Sequence, residues 1–223
     1  MGHAGDAGFV REARADDAGS LARVQVASWR SGFAGIVPDA LLKELTSDEA
    51  QKVWRDRWRE AITNPPTSRH RVLVAVESAS GFGPGSGSGF GPGSGSGFGP
   101  GPGPGRGSGS GPGSGSGSGG VAGFVSAGPA TDADRWPGTD GELYELRVEP
   151  ERTGRGHGSR LLHAAADTLV GDGFRTLSIW AISADQALRR FLESSGWAAD
   201  GAAGELDVGV SIPVIRLHTS LSE

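Results

Sequence analysis

Glycines at 154, 156 and 158 alternate through Val148-Glu149-Pro150-Glu151-Arg152-Thr153-Gly154-Arg155-Gly156-His157-Gly158-Ser159-Arg160-Leu161-Leu162. The pattern reads as a strand end, a turn and a glycine-studded start of a helix. Missing side chains leave room for three backbone N–H groups to converge on one anion. The first N–H groups of a helix lack intrahelical partners and sit at the positive end of its dipole, so such a start favours a phosphate. Three readings compete. A dinucleotide site needs G-x-G-x-x-G after the first strand of a βαβ unit, with an acidic residue about twenty positions on. The spacing here is G-x-G-x-G, after a strand late in the chain. A P-loop ends in Gly-Lys-Ser/Thr, and Gly158-Ser159-Arg160 lacks the lysine. The third reading is a tight strand-to-helix turn with no ligand.

The elements that must position this loop follow from periodicity and punctuation. Gly8–Arg14 reads as a first strand. Asp16 or Asp17 can cap a helix over 17–31, with Leu21, Val24 and Trp29 on one face. Pro38 opens a second helix carrying Leu41, Leu42, Leu45, Val53, Trp54, Trp58 and Ile62, and Asn64-Pro65-Pro66 stops it. Buried strands are expected at 70–77, 121–127 and 141–148. A helix follows over 156–171, a strand over 175–181, and a helix capped by Ser183 or Asp185 that Gly196 ends. A short strand at 197–202 and a final strand at 212–220 complete a mixed α/β domain with a largely antiparallel start.

Between the second and third strands lies a low-complexity block, residues 79–120. It repeats Gly-Phe-Gly-Pro-Gly-Ser-Gly-Ser with Phe82, Phe90 and Phe98. Such a segment buries too little apolar surface to offset the entropy of ordering it, so a flexible insertion is expected. The simplest placement is an overgrown hairpin loop, whose closure costs roughly 2 kcal/mol more than a tight turn. An interdomain linker, or a partner-recruiting scaffold built on the three Phe residues, is the other reading. Without the block roughly 180 residues remain, enough for one domain spanning 1–223.

Composition narrows the function classes. The net charge of −5 gives no basic footprint for nucleic acid. With no cysteine, disulfides, thiol nucleophiles and Cys-type zinc sites are excluded. His157 and His163 have no evident second ligand, so no metal site is expected. No apolar run reaches membrane-spanning length and Met1–Asp6 lacks a secretion signal, which points to the cytoplasm.

Taken together, these segments resemble the GNAT N-acetyltransferase superfamily everywhere except 79–120. The resemblance rests on Val148-x-Pro150-x-x-x-Gly154-x-Gly156-x-Gly158-Ser159-x-Leu161-Leu162 after the strand Gly141–Leu146. It rests also on Leu177-Ser178-Ile179-Trp180 followed by Ala187–Trp197, and on an N-terminal stretch Arg14–Pro38 typical of one bacterial branch. It implies a mostly antiparallel central sheet flanked by helices. It implies acetyl-CoA as co-substrate and a primary amine of a small molecule or protein as acceptor, with no nucleic-acid or membrane partner; a homodimer is compatible. Backbone groups of Thr153, Gly154, Arg155, Gly156, His157, Gly158 and Ser159 would take the pyrophosphate, with Arg155 or Arg160 as charge partners. Leu146, Arg147 and Val148, on a strand that splays from the next, would pair with the pantetheine arm. Trp29, Phe33 and Ile36 would line the acceptor pocket.

A protonated amine must lose a proton before attacking a thioester. Glu142 and Glu145 lie three apart on one strand and so are expected on opposite faces. The resemblance gives the base role to Glu142, and Tyr144, the chain's only tyrosine, is the sole phenol on hand as an acid. The chain also departs from the family. Thr153 stands where Gln or Arg is usual, with Arg152 one residue earlier. Asp185 stands for a frequent Asn, and Leu192 replaces the Tyr that protonates the CoA thiolate. Those departures motivate an alternative, a CoA-binding sensor or interaction module with weak or no catalysis.

Overall fold

The computed structural model describes residues 8–77 and 120–221. Its strands are β1 (Phe9–Glu12), β2 (Arg71–Val76), β3 (Val121–Pro129), β4 (Asp140–Val148), β5 (Thr176–Ile182), β6 (Ala198–Asp207) and β7 (Ser211–Ser220). Its helices are α1 (Ala18–Gly32), α2 (Asp39–Leu45), α3 (Asp48–Thr63), α4 (His157–Gly171) and α5 (Gln186–Ser194). The strands form one sheet in the order β1-β2-β3-β4-β5-β7-β6. Every neighbouring pair is antiparallel except β4–β5. That parallel pair needs a crossover, which α4 supplies. The mixed, mostly antiparallel sheet flanked by helices is the expected architecture.

Alternation along the strands sends side chains to two cores. Leu73, Ala75, Val125, Leu143 and Leu146 pack under Leu161, Leu162, Leu169 and Leu192 of α4 and α5. Val74, Val76, Val121 and Phe124 face Leu21, Val24 and Trp58 of α1 and α3. Trp58 packs edge-on against Phe124 with ring centroids 4.8 Å apart.

Two elements differ from expectation. The single helix expected from Pro38 to Ile62 is two helices. The chain breaks at Thr46-Ser47, where the Ser47 hydroxyl accepts the Ala50 amide and starts α3 afresh, with Asp48 and Glu49 in its first turn. The short strand expected at 197–202 runs on to Asp207, through an irregularity between Ala199 and Ala203. At the start of α1, the Asp17 carboxylate turns back to accept from Arg14 N and Arg11, fixing a 3-10 turn over Ala15–Asp17.

β2 and β3 pair with each other, and the Glu77 amide donates to Gly120 O beyond them. The low-complexity block thus joins two adjacent antiparallel strands; its residues 79–119 lie outside the described residues. No helix among the described residues is long and apolar enough to cross a membrane.

A charge network closes the far end of the sheet. The Arg216 side chain is only 5% exposed and bonds Asp132 at 2.7 Å, Asp134 at 2.6 Å and Asp200 at 2.7 Å. Arg135 adds a second cation on Asp200. The Trp180 indole donates to Asp132, and its ring lies 5.5 Å from the Arg216 guanidinium.

Candidate functional site

The glycine loop takes the form its sequence requires. Gly154 has φ +74° and Gly156 φ +78°, left-handed conformations that L side chains adopt at a cost. Gly156 is the residue before α4, and no side chain caps that helix. The unpartnered first-turn N–H groups are left for something else. Gly158 is not constrained in this way: a Cβ there would reach only ordinary contact with the Phe191 ring at 3.4 Å.

These residues line a cleft of about 680 Å³, together with the end of α1 and the start of α5. Its floor is the edge of β4. β4 and β5 pair only from Asp140↔Thr176 to Leu143↔Ile179, after which β5 stays with β7 alone. The strands diverge, and on the β5 side Leu146, Arg147 and Val148 have backbone groups free to pair with an extended ligand. Of the residues expected to hold a coenzyme, Leu146, Arg147, Val148, Thr153, Gly154, Gly156, His157, Gly158 and Ser159 all line this cleft.

Arg155 does not line it, and the expected charge partners are already engaged. Glu77 accepts from Arg152 at 3.0 Å, from Arg155 at 3.4 Å and pairs with His157 Nε2 at 3.0 Å. Burial pushes the Glu77 carboxyl up, but the His157 hydrogen bond and the Arg152 charge outweigh it and hold the group below the ordinary glutamate value. Arg160 donates to Arg155 O and contacts His157 Nδ1. Arg155 and Arg160 brace the loop from behind, while Arg152, tied to Glu77, lines the cleft with Arg147 beside the open main chain. Thr153, in the position of a longer polar residue, donates its hydroxyl to Pro150 O within the preceding turn.

The carboxylates of β4 sit differently from expectation. The β3–β4 register passes from Ser126↔Glu145 to Ala127↔Leu143, leaving Tyr144 as an extra residue, a β-bulge. Leu143 and Leu146 therefore enter the same core. Glu142 and Glu145, which alternate with them, lie on the other face together, not on opposite faces. Glu142 lines neither cleft: its Oε2 accepts the Thr131 amide at 3.0 Å and hydroxyl at 2.8 Å, anchoring the β3–β4 connection. The Tyr144 hydroxyl donates to Pro129 O at 2.7 Å, and its ring stacks on His70. Burial, with the Glu142 charge nearby, pushes the phenol up to about 12. Since this is the only tyrosine, alkaline titration of the folded protein is expected to show phenolate absorbance with a midpoint near pH 12, against about 10 after unfolding.

A second cleft, also about 680 Å³, adjoins the first across Arg147, Asp185 and Leu188, which line both. Trp29 and Phe33 line it as expected residues of an acceptor pocket. Ile36 does not; it packs with Val37 and Ile212 in an apolar cluster behind Trp29. Asp185 caps α5 by accepting the Leu188 amide, and Leu192 is wholly buried in the core. Sequence reasoning weighed Glu145 against Glu142 and gave the base role to Glu142, yet it is Glu145 that lines this cleft. Its Oε1 accepts from Gln25 Nε2 at 3.1 Å, and Oε2 is shut off from solvent with no partner among the described residues. Burial pushes this carboxyl up, and the Arg147 charge only partly opposes it.

Comparison with known proteins agrees with this geometry. A family model described as the acetyltransferase (GNAT) family matches residues 114–197, which take in the β4 edge, the glycine loop and α5. No protein of curated function matches the chain by sequence. PaiA N-acetyltransferase of Thermoplasma acidophilum, solved with coenzyme A, is similar at TM-score 0.59 and 14% identity, over 94% of this chain and 98% of its own. YncA of Salmonella typhimurium, solved with its cofactor acetyl-CoA, is similar at TM-score 0.58 and 16% identity, over 97% of this chain and 95% of its own. Ribosomal-protein-alanine N-acetyltransferase of Brucella melitensis gives TM-score 0.57 and 16% identity, over 96% and 99%. At these identities the likeness is one of fold.

Proposed function

We propose that this chain is a member of the GNAT acetyltransferase family, whose model matches residues 114–197, and that it is an acetyl-CoA-dependent N-acetyltransferase acting on a primary amine by direct attack. The observation that carries this reading is the meeting, in one cleft, of an uncapped helix start shaped by two left-handed glycines and a strand edge opened by divergence from its neighbour. The first suits a pyrophosphate and the second an amide-bearing arm, the two recurring groups of coenzyme A.

Acetyl-CoA supplies a thioester whose carbonyl carbon is open to a neutral amine. The first-turn amides of His157, Gly158 and Ser159 hold the phosphates, and the edge of Leu146–Val148 aligns the arm toward the second cleft. A free amide of that edge is placed to stabilise the oxyanion that develops as the amine attacks. Leu192 offers no proton to the departing sulfur, but a thiol with pKa near 8.5 leaves with little help. Glu142, bound to Thr131, and Tyr144, bound to Pro129 O, hold the β3–β4 region in shape. The proton-accepting role falls to Glu145.

Two measurements test the reading. Acetyl-CoA at about a hundred times its dissociation constant should stabilise the fold by about 2.7 kcal/mol, raising the melting temperature by roughly 5–10 °C for a domain of this size. Release of free thiol from acetyl-CoA across a panel of primary amines should then reveal turnover. No melting shift at millimolar acetyl-CoA overturns the assignment. A shift without turnover on any amine favours the CoA-binding module.

A further inference from the structure

We infer that the second cleft is the acceptor chamber, and that it takes an amine on a compact apolar body without a carboxylate, its ammonium paired with Glu145. This rests on the acetyltransfer reading above and specifies the substrate class of that site.

The walls are aromatic and braced. Trp29 meets Phe33 at a centroid distance of 5.4 Å and stands edge-on to Trp54 at 5.1 Å. Trp180 faces the same space from β5, and Val214 and Leu206 close it from β7 and β6. Such walls gain from an apolar body by burial, and their ring faces attract a cation.

The polar groups are few and of mostly one sign. Glu145, Asp185 and Glu205 line the chamber, and Arg147 is the single cationic side chain among its lining residues. Tyr144, the remaining titratable residue in the lining, keeps its proton on Pro129 O. An ammonium therefore has a partner. An added carboxylate meets an excess of like charge.

Glu145 is held for this purpose from behind. The Trp58 indole donates to Gln25 Oε1 at 2.6 Å, which leaves Gln25 Nε2 to donate to Glu145 Oε1. The relay fixes the carboxylate and leaves Oε2 unpartnered and hidden from solvent. A buried, unpaired carboxylate oxygen is costly, and an ammonium bound to it relieves that cost. In the reaction, an N–H bond of the ammonium breaks and its proton bonds to Oε2. The freed lone pair of nitrogen forms the bond to the thioester carbon. The C–S bond breaks with its electrons on sulfur, which takes the second nitrogen proton as the thiol. Glu145 then returns its proton to solvent.

Calorimetry with two probes tests this: 2-phenylethylamine, and L-phenylalanine, which adds only a carboxylate to it. Each is titrated into the protein with and without saturating coenzyme A. The expected result is at least tenfold tighter binding of 2-phenylethylamine than of L-phenylalanine. In Glu145→Gln that binding should weaken at least tenfold while coenzyme A binds as before, and turnover should fall at least a hundredfold. Glu145→Asp, which keeps the charge but withdraws it by one methylene, is the second variant should E145Q not fold; it should lose turnover to a similar degree. Equal or tighter binding of L-phenylalanine overturns the inference, as does undiminished 2-phenylethylamine binding by E145Q. Failure of coenzyme A to bind defeats the acetyltransfer reading instead, while the ranking of amines on the protein alone still decides the chamber.

Discussion

Gly156→Val should weaken coenzyme A binding at least tenfold, or about 1.4 kcal/mol. Gly156 holds φ +78° at the turn into α4. A β-branched side chain in that region is a steric outlier, so the chain would relax toward negative φ and swing the following amides. Space is not the obstacle, since the nearest atom to an added Cβ is the flexible end of Arg160 at 3.5 Å. The effect therefore isolates backbone conformation. Gly158→Ala is the contrast: its φ is ordinary, and the added methyl only touches the Phe191 ring, so its effect should be smaller. Calorimetry with coenzyme A on both variants measures the difference. Unchanged affinity in G156V would mean that the loop's shape does not hold the ligand.

Arg216→Met should destabilise the fold by about 3 kcal/mol, because removing the buried cation strands the largely buried Asp200 and Asp132, while Asp134, mostly exposed, can turn to solvent. For a domain of this size that is a fall of roughly 6–12 °C in melting temperature. The guanidinium holds Asp132, Asp134 and Asp200 together from β7. Without it, only Arg135 remains to answer them. The penalty should depend on pH. The Arg216 hydrogen bond holds the Asp134 carboxyl at about 2. Burial raises Asp200, but the Ala202 amide and Arg216 outweigh that and keep it below the ordinary aspartate value. Carboxylates depressed in the folded state stabilise it above their unfolded value, near 3.9, and lose that contribution as pH falls through the folded value. The gap between R216M and the parent should thus be full at neutral pH and narrow from about pH 4 toward pH 2. Thermal melts across that range check it; a pH-independent gap would mean that lost packing, not charge, is responsible.

Much of the fold was legible because its signals are local. Leu161, Leu162, Ala165 and Leu169 mark α4's buried face, and the divergence of β4 from β5 lies where the resemblance implies. The break between α2 and α3 was present in the sequence as Ser47-Asp48-Glu49, a cap with acidic first-turn residues, but an apolar series running through both helices obscured it. The bulge at Tyr144 had no such marker. No glycine or proline announces it, and one extra residue reverses the facing of everything beyond it, so Glu145 was assigned away from Glu142. The Arg216 cluster was out of reach for a different reason: its acids stand at 132, 134 and 200, and only the folded sheet brings them together.

The open edge of β4 has a consequence for how such a protein can change over time. A surface made of peptide groups is common to every amino acid except proline, so substitutions along Leu146–Val148 alter its rim while leaving its donors and acceptors in place. Lineages can then replace almost all of their residues and still offer the same template, which fits a shared fold at 14% identity. Novelty is left to accumulate in the aromatic chamber next door, whose lining is mostly side chain.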